Sequence, residues 1–156
     1  MRTRLWLLVL AIMLLVACGG GDGGGISSPC DLADAEMVQS VFPGTFSEGT
    51  EGQARNCDFE LEGGAGISVT VFHYGSADGW ESTRQGFVDN RGGVTEVDGV
   101  GESAFFPNDV GAGELVVQAG GETFSVSVFI PFEDPSPQIV DAVAGLSSAI
   151  ADELGS

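Results

Sequence analysis

The sequence predicts an α+β fold: an antiparallel sheet of about five strands with helices packed on it, in the order α-β-β-α-β-β-β-α. Three observations carry this reading. From Glu122 to Ile130 the apolar residues Phe124, Val126, Val128 and Ile130 alternate with Thr123, Ser125 and Ser127, the period of a strand with one buried face. The Gly120-Gly121 pair separates that run from Glu114–Ala119 as a two-residue hairpin turn, and strands joined so tightly are antiparallel. Near the C-terminus Ile139, Val143, Leu146, Ile150 and Leu154 recur at helical spacing, giving an apolar stripe that can cover the sheet.

The other elements follow in order. Residues 34–42 form a short helix, with Asp34 as its cap, Ala35, Val38 and Phe42 on one face, and Pro43-Gly44 as its stop. Residues 57–62 alternate Phe59 and Leu61 with Asp58, Glu60 and Glu62. Ile67, Val69 and Val71 alternate with Ser68 and Thr70 beyond the Gly63-Gly64 turn, so the two strands form a hairpin. A second helix starts at Ser76 or Asp78 and carries Trp80, Phe87 and Val88 before Arg91-Gly92-Gly93 closes it. Val94–Val97 is a strand, and 98–106 holds turn residues followed by apolar ones. Ser136 caps the last helix, with Pro137 at its first position.

Five basic residues stand against 23 acidic ones in 156, a net charge of −18, and there is no lysine. Arg2 and Arg4 lie in the leader, so the remainder keeps Arg55, Arg84 and Arg91 and carries −20. Such a surface repels phosphate backbones and anionic headgroups, which excludes nucleic acid as a partner class. An acidic surface that keeps the domain soluble accounts for the charge; a cationic partner and a high-salt habitat are the sharper alternatives.

The N-terminus specifies a location. Met1–Arg4 is a short basic start, Leu5–Val16 is unbroken apolar sequence, and Ala17 precedes Cys18, the layout of a secretory signal. The run is shorter than the ~20 residues of a membrane-spanning helix, though an uncleaved anchor is the rival. Leu15-Val16-Ala17-Cys18 resembles the bacterial lipobox, which implies a diacylglycerol thioether on Cys18 and cleavage after Ala17. Two acyl chains on one residue meet the two-signal requirement for stable anchoring. Gly19–Gly25 reads as a flexible tether of ~15 Å reach, about two Debye lengths at physiological salt. The expected organisation is a signal peptide over 1–17, lipidated Cys18 and tether over 18–27, and one extracytoplasmic domain over 28–156.

Cys30 and Cys57 remain, and an even pair in an exported chain is expected to form a disulfide. It would close a loop of about 27 residues, worth roughly 3.5 kcal/mol in the chain-entropy picture. Two thiols and one distant histidine match no zinc spacing.

Four segments in order carry a family resemblance over about residues 27–154: Pro29-Cys30-Asp31-Leu32, Cys57-Asp58-Phe59, Gly99-Val100-Gly101-Glu102-Ser103-Ala104, and Leu115-Val116-Val117 before a glycine turn. In this the chain resembles a widespread group of actinobacterial lipoproteins built on a domain of unknown function, in which Asp is commoner at the position of Glu102. The resemblance implies the disulfide and a surface location, and carries over no catalytic residue.

Few residues suggest chemistry. Gly99-Val100-Gly101 lacks the third glycine and the following helix of a nucleotide loop and reads as a turn or bulge. His73, the single histidine, would be the base of any nucleophilic triad, yet no G-x-S-x-G accompanies it; a strand-end position at the core margin is expected. Asp58, Glu60 and Glu62 line one strand face about 7 Å apart and, with Asp31, Asp34 or Glu36 brought near by the disulfide, are weak calcium candidates; a solvated face is the expectation. Phe105, Phe106 and Phe129 are candidates for the edge of an apolar pocket or a partner site; second-face core beneath a helix is the favoured expectation. No cofactor and no catalytic residue is expected. The sequence therefore points to a lipid-anchored protein on the extracytoplasmic face of the cell membrane, a non-enzymatic module for a small ligand or a protein partner in the envelope. A hydrolase using carboxylates or His73 and an acidic structural spacer are the alternatives.

Overall fold

The computed structural model describes residues 25–64, 66–109 and 113–156. The leader, Cys18 and the tether up to residue 24 lie outside the described residues. Three helices, α1 (Ala35–Val41), α2 (Trp80–Asn90) and α3 (Pro137–Leu154), pack on one antiparallel sheet. Its strands are β1 (Thr50–Glu51), β2 (Asn56–Glu60), β3 (Ser68–Ser76), β4 (Val94–Val97), β5 (Ser103–Pro107), β6 (Gly113–Ala119) and β7 (Glu122–Phe129). The α+β class holds, but the sheet has seven strands rather than about five, and the element order is α-β-β-β-α-β-β-β-β-α.

The two unforeseen strands have physical reasons to be silent in the sequence. Strand β1 is two exposed polar residues that pair with Asp58 and Cys57, too short for any period. In β5, Ala104, Phe105 and Pro107 are all buried, because helices cover both faces there; continuous apolar sequence then replaces alternation. Strand β2 also stops at Glu60, leaving Glu62 in the following turn.

Two meanders, β1-β2-β3 and β4-β5-β6-β7, join where β3 pairs with β7, giving the spatial order β1-β2-β3-β7-β6-β5-β4. One face buries Val69, Val71, Leu115, Val117, Phe124 and Val126 completely. Helix α3 lays Val143, Leu146 and Ile150 on it, and α1 adds Val38 beside α3. Each such aliphatic side chain contributes about 1.5–3 kcal/mol by leaving water. Asp34 caps α1 by accepting from the Met37 amide at 2.8 Å. Ser136 occupies the corresponding position of α3, but its hydroxyl makes no capping bond, and Pro137 fixes the first turn instead.

The β6–β7 hairpin turns on Gly120 and Gly121 at φ of 55° and 82°, as a two-residue turn with both residues left-handed requires. Gly101, in the Gly-Val-Gly turn before β5, holds φ of 58°, and a Cβ there would stand 2.6 Å from the Gln118 carbonyl oxygen. Both constraints demand glycine, so this segment is a turn, while Val100 between the glycines is buried.

Cys30 and Cys57 form a disulfide with Cα atoms 5.0 Å apart. It ties the 3-10 turn Pro29–Asp31 to β2. Ser28 and Asp31 close that turn reciprocally as a capping box.

Helix α2 lies on the other face, over β4, β5 and β6, with its flank reaching Tyr74 of β3. Trp80 and Phe87 pack on Phe105 and Val116, and Arg84 pairs with Glu96 on β4. A 3-10 turn, Ala77–Gly79, runs into it directly after Ser76, so the helical stretch begins where expected, while α2 itself starts at Trp80 after Gly79, and neither start has a side-chain capping bond. Among the described residues the β2, β3 and β7 portion of this face carries no helix. Phe105 is therefore buried as second-face core, whereas Phe129, at the uncovered end of β7, is 61% exposed, against expectation. Among the described residues no helix is long and apolar enough to cross a membrane.

Candidate binding groove on the half-covered sheet face

Strand alternation positions the site. Along β3, Val69, Val71 and His73 point into the core, so Thr70, Phe72 and Tyr74 point to the half-covered face. Tyr74 is the single tyrosine of the chain. Its ring stacks on Phe72 at 6.4 Å and meets the edge of Phe87 of α2 at 6.2 Å. Between the flank of α2 and this ring runs a cleft of about 380 Å³, lined by Tyr74, Ser82, Gly86, Phe87, Asn90 and Arg91 among others. A Cβ added at Gly86 would meet nothing within 4 Å, so the wall of α2 is open at its middle.

Beneath the cleft lies a polar network centred on Glu114, whose side chain is 9% exposed. The Tyr74 hydroxyl donates to Glu114 Oε1 at 3.2 Å, and the Ser125 hydroxyl donates to the same oxygen at 3.0 Å. Arg91 donates from Nη1 to Glu114 Oε2 at 3.0 Å and from Nε to Asp109. The guanidinium also sits 5.4 Å over the Phe87 ring. A buried carboxylate persists only with such compensation, and Glu114 has three donors, one of them the Arg91 cation.

The surroundings shift two groups. Burial, and next the negative charge of Glu114, push the Tyr74 hydroxyl up to about 12. The residue is 39% exposed, but its hydroxyl is engaged by Glu114 and Ser125. Burial alone would lower Arg91; its bonds and charge pairing with Asp109 and Glu114 outweigh this and hold it above its ordinary value. The network holds the Tyr74 ring at the cleft through Glu114 and Arg91, while Asp109, whose side chain is 36% exposed, keeps one carboxylate oxygen buried without a partner among the described residues.

The residues singled out in the sequence lie elsewhere. His73 is 6% exposed on the core face, where Nε2 donates to Glu122 at 2.8 Å and Nδ1 accepts from Arg55 Nη2 at 2.9 Å. Both ring nitrogens are thereby occupied, in an enclosed place, and neither Arg55 nor Glu122 is a nucleophile that His73 would activate. Asp58 and Glu60 share the half-covered face, but Glu62 does not extend their row. The Asp58 carboxylate accepts from Asn56 and from Thr70, each at 2.6 Å. Asp31 closes its own turn, its carboxyl held below the ordinary value by the bonds from Ser27 and Ser28, and Asp34 caps α1. Among the described residues no three His, Cys, Asp or Glu side chains form a group able to hold a metal ion. Sequence reading missed Tyr74, Arg91, Asp109 and Glu114. The available signal was scarcity: the described chain has three arginines, and each is engaged by a specific side chain.

No protein-family model, curated protein or solved structure matches the chain.

Proposed function

We propose that the protein is a lipid-anchored, extracytoplasmic binding module of the bacterial cell envelope, with the Tyr74 groove and the adjoining open sheet as its binding surface. The observation that carries the binding reading is an aromatic cleft, walled by Tyr74 and Phe87, above the hydrogen-bonded network of Tyr74, Glu114 and Arg91. Such a cleft offers a preformed apolar surface with few convergent polar groups, the usual make-up of a ligand site. The anchor rests on the Leu15–Cys18 segment and on the two remaining cysteines, whose pairing suits an oxidising compartment.

One experiment on the full chain addresses both halves. Cells expressing the protein are labelled with fatty acid, and the purified protein is screened for melting shifts against envelope lipids, oligosaccharides and peptides. Label on the parent and none on Cys18→Ala is expected, with a melting rise for at least one ligand that Tyr74→Ser removes. Labelled Cys18→Ala would refute the anchor; no shift by any ligand would refute the module.

A further inference from the structure

On the half-covered face, β2, β3 and β7 present a strip that no element of the described chain occupies. Its cross-strand rows are set by register: Glu60, Ser68 and Phe129 in one, Asp58, Thr70 and Ser127 in the next. Phe129 stands at one end and Tyr74 at the other, the two exposed large aromatics of this face. From Ser68, opposite Phe129, to Tyr74 is six residues, roughly 20 Å at strand rise. That length equals about 13 residues of α-helix. Along the strip's inner border, α2 turns Ser82 and Gly86 to the cleft, side chains small enough for a second helix to lie close.

Charge selects the occupant. Asp58 and Glu60 lie on the strip, and Asp58 is held in place by Asn56 and Thr70. The chain has no lysine, and the three arginines of the described residues are engaged: Arg55 with His73 on the opposite face, Arg84 with Glu96, and Arg91, which lines the cleft at the Tyr74 end, with Asp109 and Glu114. Just beyond β7, Phe132 is wholly exposed and holds φ of 66°. Such a backbone costs about 1 kcal/mol in a non-glycine residue, and an exposed aromatic kept there at that cost suits contact rather than packing.

Resting on the binding-module reading, we propose that the strip docks a basic amphipathic helix of a partner protein. The helix lies beside α2 and spans Phe129 to Tyr74, with apolar side chains on the aromatics and Lys or Arg at Asp58 and Glu60. This is helix-in-groove recognition with electrostatic selection.

The test uses the full chain and fluorescently labelled 18-residue peptides, read by anisotropy. The probe is an amphipathic leucine–lysine helix; the controls are a lysine-only peptide and a leucine–glutamate helix. The leucine–lysine helix is expected to bind with a Kd of about 10 μM, and both controls at least about 10-fold more weakly. Phe129→Ser and Glu60→Gln, both at exposed positions, should keep the melting temperature and weaken binding about 5-fold or more each, and Glu153→Gln on α3 less than about 2-fold. No binding at 0.1 mM overturns the proposal, as does equal binding of the lysine-only peptide or equal weakening by Glu153→Gln. Self-association that Phe129→Ser abolishes would make a second copy the occupant and overturn it too. Absence of peptide binding, with a small ligand still raising the melting temperature through Tyr74, overturns the helix alone and leaves the groove reading intact.

Discussion

Tyr74 gives the candidate site an optical reporter. It is the one tyrosine, and the chain has no lysine, so apart from Cys18 the interval from pH 9 to 11.5 contains little else that titrates. Folded, its hydroxyl is pushed up to about 12 by burial first and by Glu114 second. Unfolded, it returns to about 10. Between these values the unfolded chain has lost the proton and the folded chain has kept it, so stability falls as pH rises. The full difference is at most about 2.7 kcal/mol; with 39% of the residue in solvent, about half of that is expected. Absorbance of tyrosinate near 295 nm should show a folded midpoint well above that of the urea-unfolded chain, and urea denaturation should weaken from pH 9 to 11.5. Glu114→Gln should lower the folded midpoint without bringing it to 10, because burial remains the larger cause. A folded midpoint at 10, or denaturation flat across this interval, would refute the enclosed hydroxyl. An unchanged midpoint in Glu114→Gln would remove the carboxylate from beside it.

Two further outcomes concern stability. Replacing both Cys30 and Cys57 by Ala should lower unfolding free energy in urea by roughly 3.5 kcal/mol, the loop-closure value for their separation of 27 residues, with little change in secondary structure by circular dichroism. Arg91→Leu leaves Glu114 enclosed without its cation and should cost about 2–3 kcal/mol in urea denaturation, at or just below the lower end for a broken buried pair because Arg91 is 30% exposed; adding Glu114→Gln should restore at least about half.

What the sequence disclosed followed from period and turn chemistry. Strands β3 and β7 were readable because Val69, Val71, Phe124 and Val126 alternate with Ser and Thr, a pattern that β7 keeps even though Thr123 and Ser125 are buried. Helix α3 was readable because its stripe meets one sheet face. Strand β5 was not, since a strand buried on both sides loses its alternation, and β1 was not, since two exposed residues have no period. The site was hidden for a different reason. Tyr74, Arg91, Asp109 and Glu114 come from β3, the end of α2, a loop and β6, and their convergence depends on β3 pairing with β7 and β7 with β6. No local spacing records that. The acidic row that local spacing did record belongs in part to a turn, and His73, prominent as the lone histidine, is enclosed between Arg55 and Glu122.

The bridge between Cys30 and Cys57 also fixes how the domain bears mechanical load. Tension applied through the chain before Cys30 passes across the sulfur–sulfur bond into β2, a strand paired on both sides, by β1 and β3. The 26 residues between the two cysteines, α1 and β1 among them, lie outside this path. A pull strong enough to peel a short helix or a two-residue edge strand would therefore reach neither, and would be met instead by the five-residue ladder of β2 against β3. Reduction of the bridge would reroute the same force through Pro29–Asp31 and α1, so the grip of the fold on its own N-terminus is set by redox state.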